Sequence, residues 1–208
     1  MEDRLKPRYT VNYWDERYSK PEFAFGTEPN QFFMEQLHKL RPGKLLLPAD
    51  GGGRNAVYAA GKGWQVTAFD LSQEAKLKAT KLAERKQVRI EYFVSDIEDI
   101  NLPEHCYDVI GIIYIHFPEE KRQAYHHKLL KLLKSGGTII LECFSKEQLK
   151  YTSGGPKEES MLLSIEDIKN DFKDMEIIML EKKIFILEEG IYHQGEGSVI
   201  RLVARNSK

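Results

Sequence analysis

The chain has 208 residues, 41% of them hydrophobic and 30% charged, and its formal net charge is −1. These values are typical of about one globular domain, and they exclude a strong overall positive field for nucleic acid or an anionic membrane. No apolar run reaches the roughly 20 residues of a membrane-spanning helix, and residues 1–8 lack the apolar core of a signal peptide. The two cysteines, Cys106 and Cys143, are spaced for neither zinc nor a redox pair, so we expect a cytoplasmic protein.

The first 40 residues are rich in aromatic side chains but too few for a domain, so we expect one or two helices that pack across the sheet as a lid. From residue 44 onward, apolar runs alternate with amphipathic stretches, which is typical of βαβ units on a parallel sheet. Strands are predicted at 44–48, 65–69, 89–94, 107–113 and 138–144, with helices at 55–62, after Ser72 and at 118–134.

The regular alternation ends after residue 144. Ser164 and Asp167 have the spacing of a capping box and predict the start of another helix. Two strand-like segments follow at 176–187 and 198–204, and because no helix fits between them they are predicted to pair antiparallel. The predicted fold is a single α/β domain over 1–208 with its core at 44–208. It is a three-layer sandwich around a doubly wound, seven-stranded, mostly parallel sheet whose last strand is antiparallel.

A glycine-rich turn, Asp50-Gly51-Gly52-Gly53-Arg54-Asn55, follows the first predicted strand. In open α/β sheets, ligands bind beyond the carboxyl ends of the strands, where the strand order reverses. The glycines permit close approach of a ligand, and the N-terminus of the next helix favours an anionic group such as a carboxylate. Asp70, at the end of the second strand, can accept hydrogen bonds from ribose hydroxyls. Asp96, after the third strand, can accept one from an adenine amino group, and Leu71 or Ile97 can cover the ring.

Two cofactor classes fit this turn. Gly51, Gly53 and Ala56 match the dinucleotide fingerprint G-x-G-x-x-G/A, which would indicate an NAD-type oxidoreductase. The Asp50 carboxylate would repel a pyrophosphate with a Coulomb energy on the order of kcal/mol, whereas it would attract a sulfonium cofactor that carries an ammonium group. Together with the antiparallel final strand, this favours S-adenosylmethionine and a class I methyltransferase fold. The oxidoreductase and a non-catalytic cofactor-binding protein of the same fold are the alternatives.

Several segments resemble bacterial tellurite-resistance-type class I methyltransferases. The resemblance implies methyl transfer from S-adenosylmethionine to a small-molecule substrate, with a soft oxyanion or a thiol as candidate acceptor, by a monomer or homodimer. Relatives often carry an acid where this chain has Gly52, so that Asp50 is the only acid in its turn. The matching segments are Leu47 to Ala56, Trp64 to Ser72, Tyr13 to Tyr18, Gly26 to Asn30, Ser153 to Lys157 and His193 to Gly195.

Three residues are predicted on the acceptor side. His116 follows the fourth strand in the loop that faces the methyl group in this fold, and it is the candidate base or positioning residue. Tyr114, in the same loop, is predicted to line the cofactor. His193 lies between the last two strands and would contact the substrate if the penultimate strand runs parallel to the others. Each of the three has packing as its alternative role, and Cys143 is interpreted as a core residue.

The remaining predictions concern covering segments and ordinary surface. Trp14 and Tyr18 have i, i+4 spacing, which indicates either a lid over the cofactor or packing on the sheet. The Gly154-Gly155-Pro156 loop is predicted to be a second flap, and His126 and His127 are predicted to lie on the surface. No metal site is predicted. The predicted cofactor-binding residues are Trp14, Tyr18, Gly26, Asp50, Gly51, Gly53, Arg54, Asn55, Asp70, Leu71, Ser72, Asp96, Ile97 and Ile113.

Overall fold

A seven-stranded mixed sheet forms the centre of the computed structural model, which describes residues 10–207. The strand order is β3-β2-β1-β4-β5-β7-β6. The first five strands are parallel, and β7 is antiparallel to both of its neighbours, so β6 runs parallel to the first five. The strands are β1 (Lys44–Pro48), β2 (Gln65–Asp70), β3 (Glu91–Val94), β4 (Tyr107–Ile113), β5 (Leu133–Phe144), β6 (Glu176–Glu189) and β7 (His193–Arg205).

The helices cover both faces of the sheet. Alternate side chains of β1 point to opposite faces. Leu46 joins a core cluster with residues of α5 and α6, whereas Leu45 and Leu47 join a cluster with residues of α2, α3 and α4. The three-layer α/β prediction is therefore confirmed. The helices are α1 (Val11–Tyr18), α2 (Gln31–Leu37), α3 (Arg54–Gly61), α4 (Gln73–Lys86), α5 (Glu119–Leu132) and α6 (Ile165–Asp171).

The strand order places a crevice at the glycine turn. β1 lies between β2 and β4, so the direction of winding reverses there, and such a reversal opens a ligand crevice at the carboxyl ends of the strands. The backbone N–H of Asp50 still donates to the Phe69 carbonyl at the end of β2, and the chain then turns into α3. The β6–β7 hairpin turn lies at the same edge of the sheet, because β6 runs parallel to β1.

Side-chain caps fix where several helices begin. Thr10, Asn30, Ser72 and Ser164 each accept a hydrogen bond from a backbone N–H in the first turn of the helix that follows. Ser164 and Asp167 form the predicted capping box in both directions. No helix within 10–207 has the length and apolar character needed to cross a membrane.

The prediction of a surface position is wrong for His126. Its side chain is buried, its Nδ1 lies 2.8 Å from Asp171 Oδ2, and its ring packs against Phe172. The reason is tertiary: α6 packs on α5 and supplies a carboxylate partner that makes burial of the imidazole tolerable. His127, one residue further along α5, is half-buried.

The predicted N-terminal segment contains two helices. Phe32 and Phe33 of α2 are buried in the core, whereas α1 lies against α4 and is tied to it by Asp15, which accepts hydrogen bonds from Ser72 Oγ and from the backbone N–H of Glu74. Residues 1–9 of this segment lie outside the described residues.

Candidate cofactor and acceptor site

The turn after β1 requires glycine at two positions. Gly51 and Gly53 have φ of +57° and +83°, in the left-handed region that other residues rarely adopt. A Cβ on Gly53 would lie 2.5 Å from Ala79 Cβ, so this glycine lets the turn pack directly against α4. Gly52 is different, because a Cβ there would make only ordinary contacts, at 3.5 Å with Phe23 and 3.9 Å with Lys78.

Two carboxylates lie beside this turn. The buried Asp70 accepts hydrogen bonds from the backbone N–H groups of Gly51 and Ser72, both at 3.0 Å. Asp50 Oδ2 accepts one from the Ala56 N–H at 3.2 Å. Burial raises the pKa of Asp50 to about 7 and that of Asp70 to about 6, because the ionised forms are poorly solvated.

The two carboxylates lack a full compensating charge, so the turn suits a cationic ligand. Arg54, the cation that follows the turn in sequence, pairs with Glu189 at 3.0 Å, and its charge only partly offsets the burial of Asp50. A ligand with an ammonium or sulfonium group would stabilise both carboxylates in their ionised form. The donor set and the charges therefore fit S-adenosylmethionine, which carries both groups.

Tyr18 of α1 covers the turn. A Cβ on Gly51 would lie 2.1 Å from Tyr18 Oη, which places this hydroxyl directly above the glycine. Burial raises the pKa of Tyr18 well above its usual value, and the Asp70 and Asp50 charges add to the effect. Trp14 stacks on Tyr18 with a centroid distance of 6.0 Å. A cavity of about 30 Å³ remains between Tyr18, Gly26, Asp50 and Arg54 among other residues, which is room for one or two water molecules.

The other predicted cofactor residues occupy several environments. Ser72 is the N-cap of α4, next to the half-buried Leu71. Asp96 is exposed and accepts a hydrogen bond from the Glu98 N–H. Ile97 and Ile113 pack in the core. The Asn55 side chain binds the backbone N–H of Asn30, and Gly26 packs against Gly190. Cofactor contact by these residues remains a prediction.

The loop after β4 carries two buried polar atoms without a well-formed hydrogen bond to the described residues, Tyr114 Oη and His116 Nε2. Tyr114 has a φ of +54°, which is uncommon for a tyrosine and typical of functional sites. Burial raises its pKa, and the Glu142 and Glu189 charges add to this effect. His116 Nδ1 lies 3.0 Å from the Met161 carbonyl, and burial lowers the pKa of this imidazole to about 4, so it is neutral at pH 7.

His193 joins these two residues at the end of the sheet. Its ring lies 4.5 Å from the Tyr114 ring and 5.2 Å from the Phe144 ring, measured between centroids, and the His116 ring stacks on Phe144 at 5.7 Å. The flap also meets this cluster, because a Cβ on Gly154 would lie 2.6 Å from His193 Cδ2. The structure thus brings together the three residues predicted on the acceptor side.

A buried polar network at the same edge of the sheet was not predicted from the sequence. The Asn30 amide donates to Glu142 Oε1 at 2.6 Å and to Glu189 Oε1 at 2.9 Å. Arg201 Nε donates to Glu142 Oε2 at 2.6 Å, and burial nevertheless raises the pKa of Glu142. One signal was present in the sequence: Glu142 is the single charge in the apolar run of β5, and buried charges need partners.

Cys143, which is adjacent to Glu142, points into the opposite core cluster. It is fully buried, and burial raises the pKa of its thiol. Cys106 lies at the other end of the sheet, where Lys44 Nζ is 3.5 Å from its sulfur. Neither thiol belongs to the acceptor cluster.

The strand order, the glycine turn and its flanking acids define the fold of a class I S-adenosylmethionine-dependent methyltransferase. Residues 48–137 match the model of a methyltransferase domain family. This region contains the turn, Asp50, Asp70 and the loop with Tyr114 and His116. The predicted fold is confirmed, the match supports the predicted class and its cofactor, and an NAD-type oxidoreductase is not favoured.

The curated relatives that match the chain are also named as methyltransferases. The ubiquinone biosynthesis O-methyltransferase of Rickettsia conorii is 31% identical over 104 residues, which are 50% of this chain and 36% of that protein. Phosphoethanolamine N-methyltransferase 1 of Zea mays is 29% identical over 140 residues, which are 64% of this chain and 26% of that protein. The match thus spans well under half the length of these curated relatives.

Solved structures share the fold over nearly the whole chain. TehB from Haemophilus influenzae has a TM-score of 0.71 at 18% identity, covering 94% of this chain and 66% of that one. A structure concerned with the conversion of a disulfide bond into a thioacetal group during echinomycin biosynthesis has a TM-score of 0.75 at 17% identity, covering 95% and 92%. At these identities the likeness establishes the fold alone.

Proposed function

We propose that this protein transfers the methyl group of S-adenosylmethionine to a small-molecule acceptor, with a thiol or a soft oxyanion as the acceptor class. The observation that carries the proposal is the pair Asp50 and Asp70 beside the glycine turn, because two partly or fully buried carboxylates held on the backbone of the turn suit a cationic cofactor. When bound, S-adenosylmethionine supplies a methyl group already activated on a sulfonium, so the chain's own contribution is binding, orientation and water exclusion.

Isothermal titration with S-adenosylhomocysteine tests the cofactor site. We expect wild type to bind and Asp70→Ala to lose at least tenfold in affinity. Asp174→Ala is the matched control, because Asp174 is exposed just before β6, at the opposite edge of the sheet. Absence of binding by wild type, or full binding by Asp70→Ala, would contradict the proposal.

The acceptor class is supported by the small aromatic cluster of Phe25, Tyr114, Phe144 and His193, whose neighbouring rings lie 4.5 to 5.2 Å apart between centroids. Its enclosure by the flap suits a small molecule better than a polymer. Transfer of a radiolabelled methyl group to a panel of thiols, tellurite and small carboxylates is the direct test. Labelling of the carboxylates alone would overturn the proposed acceptor class.

We further propose that the predicted segment 1–40 acts as a lid through its described part. Tyr18 lies over Gly51 and Trp14 stacks on Tyr18, so cofactor entry requires α1 to move. Tryptophan fluorescence should change on addition of S-adenosylhomocysteine, and Trp14→Phe should abolish the change. Trp64→Phe is the control, because Trp64 is buried in the core between α3 and β2, and a signal that follows Trp64 instead would refute the lid.

We also propose that the protein works in the cytoplasm, as a monomer or homodimer, without nucleic-acid partners. Both cysteines are free thiols and the net charge is −1. Sedimentation velocity would measure the oligomeric state, and a shift on mixing with duplex DNA would contradict the absence of a nucleic-acid partner.

A further inference from the structure

Glu189, at the end of β6, holds His193, at the start of β7. His193 Nδ1 lies 3.1 Å from Glu189 Oε2, and the exposed fractions of the two side chains are 6% and 14%. The other carboxylate oxygen of Glu189 accepts from the Asn30 amide at 2.9 Å. Each oxygen of the Glu189 carboxylate thus faces at least one donor, which holds the carboxylate in place.

The carboxylate is held in its ionised form. Burial alone would raise its pKa, but the hydrogen bond from His193 and the nearby charge of Arg54 lower the pKa of Glu189 to about 2. An ionised carboxylate can only accept, so the imidazole must carry its proton on Nδ1 and a lone pair on Nε2. Burial lowers the pKa of His193 itself, so this neutral form prevails at pH 7.

Arg54 connects this pair to the cofactor turn. It is the first residue of α3, directly after Gly53, and its Nη2 lies 3.0 Å from Glu189 Oε2, the oxygen that also faces His193. Its Nη1 donates to the Phe25 carbonyl in the segment between α1 and α2. The charged and titratable groups around the imidazole come from four parts of the chain: Glu189 from β6, Arg54 from α3, Arg17 from α1, and Tyr114 and His116 from the loop after β4.

The His193 ring packs in the acceptor cluster, and its Nε2 lies next to the flap. His193 contacts the Tyr114 and Phe144 rings, and a Cβ on Gly154 would lie 3.3 Å from Nε2, so the flap closes over this nitrogen. Tyr114 Oη and His116 Nε2 lie buried in the same cluster without a well-formed hydrogen bond to residues 10–207. Buried polar atoms that lack a hydrogen-bond partner in the protein indicate that a bound ligand supplies one.

We propose that Glu189 is a positioning residue that presents His193 Nε2 as the base for a protic acceptor, so the substrate class is a thiol rather than an already ionised oxyanion. This inference rests on the proposed methyl transfer. The thiol proton passes to Nε2 while its sulfur bonds to the methyl carbon, the carbon–sulfonium bond breaks to leave S-adenosylhomocysteine, and His193 returns the proton to solvent.

The first test needs no acceptor. Long-range ¹⁵N–¹H NMR of the intact protein reads the tautomer and the pKa of His193. We expect wild type to carry the proton on Nδ1, and Glu189→Gln to lower the pKa of His193 by about one unit or more, because the stabilising anion is gone. The matched control is Glu188→Gln, which makes the same change at an exposed neighbour on the strand.

Two NMR outcomes would overturn the inference. One is a wild-type tautomer with the proton on Nε2, and the other is an unchanged His193 pKa in Glu189→Gln. If circular dichroism shows that Glu189→Gln is unfolded, the wild-type tautomer still decides, and Glu189→Asp, which keeps the charge, should retain the higher pKa.

The second test separates this inference from the proposed function. With 2-mercaptoethanol and tellurite as probes, Glu189→Gln and His193→Gln should lower the ratio of thiol to tellurite kcat at least tenfold at pH 7. The ratio should recover above the pKa of the 2-mercaptoethanol thiol, where the probe is already ionised and the base is no longer needed.

The affinity of wild type and of every variant for S-adenosylhomocysteine is measured in parallel by isothermal titration. Failure of wild type to bind would defeat the proposed function, whereas normal binding with an unchanged thiol-to-tellurite ratio would defeat the role of Glu189 and His193. If wild type methylates neither probe, the NMR tautomer decides the positioning role.

Discussion

Acidification from pH 8 to pH 6 should weaken the binding of S-adenosylhomocysteine, whose ammonium group needs ionised carboxylates at the turn. In the free protein the pKa of Asp50 is about 7 and that of Asp70 about 6, both raised by burial. The ligand stabilises the ionised forms, so affinity is full above both pKa values and is lost as the pH falls through them. Protonation of Asp50 reduces affinity about tenfold at pH 6, and Asp70 adds about a factor of two. The combined effect is about twentyfold, or about 1.8 kcal/mol.

Isothermal titration at pH 8, 7 and 6 measures this dependence. At pH 7 Asp50 is about half protonated, so binding should release about half a proton, which titration in buffers of different ionisation enthalpy detects. His116 contributes little between pH 6 and 8, because burial lowers its pKa to about 4.

The matched variant is Asp50→Asn, which should bind more weakly at pH 8 and keep only the roughly twofold dependence expected from Asp70. The reasoning is refuted if wild-type affinity changes less than twofold between pH 8 and pH 6. It is equally refuted if Asp50→Asn retains the full slope.

Two further changes test the scaffold around the site. Gly53→Ala should cost about 2 kcal/mol or more of unfolding free energy in urea denaturation, because its φ is +83° and the new Cβ would collide with α4. Gly52→Asp should leave stability within about 0.5 kcal/mol, because a Cβ there makes only ordinary contacts, and a large loss would contradict this. Asp171→Asn should cost about 3 kcal/mol because it removes the buried anion that pairs with Arg122 and accepts from His126, whereas the exposed Glu166→Gln should change little in the same assay.

Local signals in the sequence were sufficient to predict the fold and the glycine turn with its acids. The glycines at 51 and 53 and the acid at 70 stand directly after apolar strands, and parallel strands bring such positions to one edge of the sheet. Strand limits were less accurate: β7 begins at His193 rather than at 198, and β5 at Leu133 rather than at 138. These extensions pair with neighbouring strands, and that pairing has no local sequence signal.

The buried polar network could not be predicted, because its partners are far apart in the sequence. Asn30 lies 112 residues from Glu142 and 159 from Glu189. Arg54 lies 135 residues from Glu189, and no spacing rule relates such positions. The burial of His126 failed to be predicted for the same reason, since its partner Asp171 comes from another helix.

The reversed final strand explains why the acceptor cluster could nonetheless be anticipated at His193. If β7 were parallel to β6, a helix would have to connect the two strands, and only the end of β6 would lie at the ligand edge. In the β6–β7 hairpin, the end of β6 and the start of β7 both lie at this edge, so Glu189 and His193 lie close to Tyr114. Because Arg54 binds Glu189 from the cofactor turn, the antiparallel pair connects the two halves of the site.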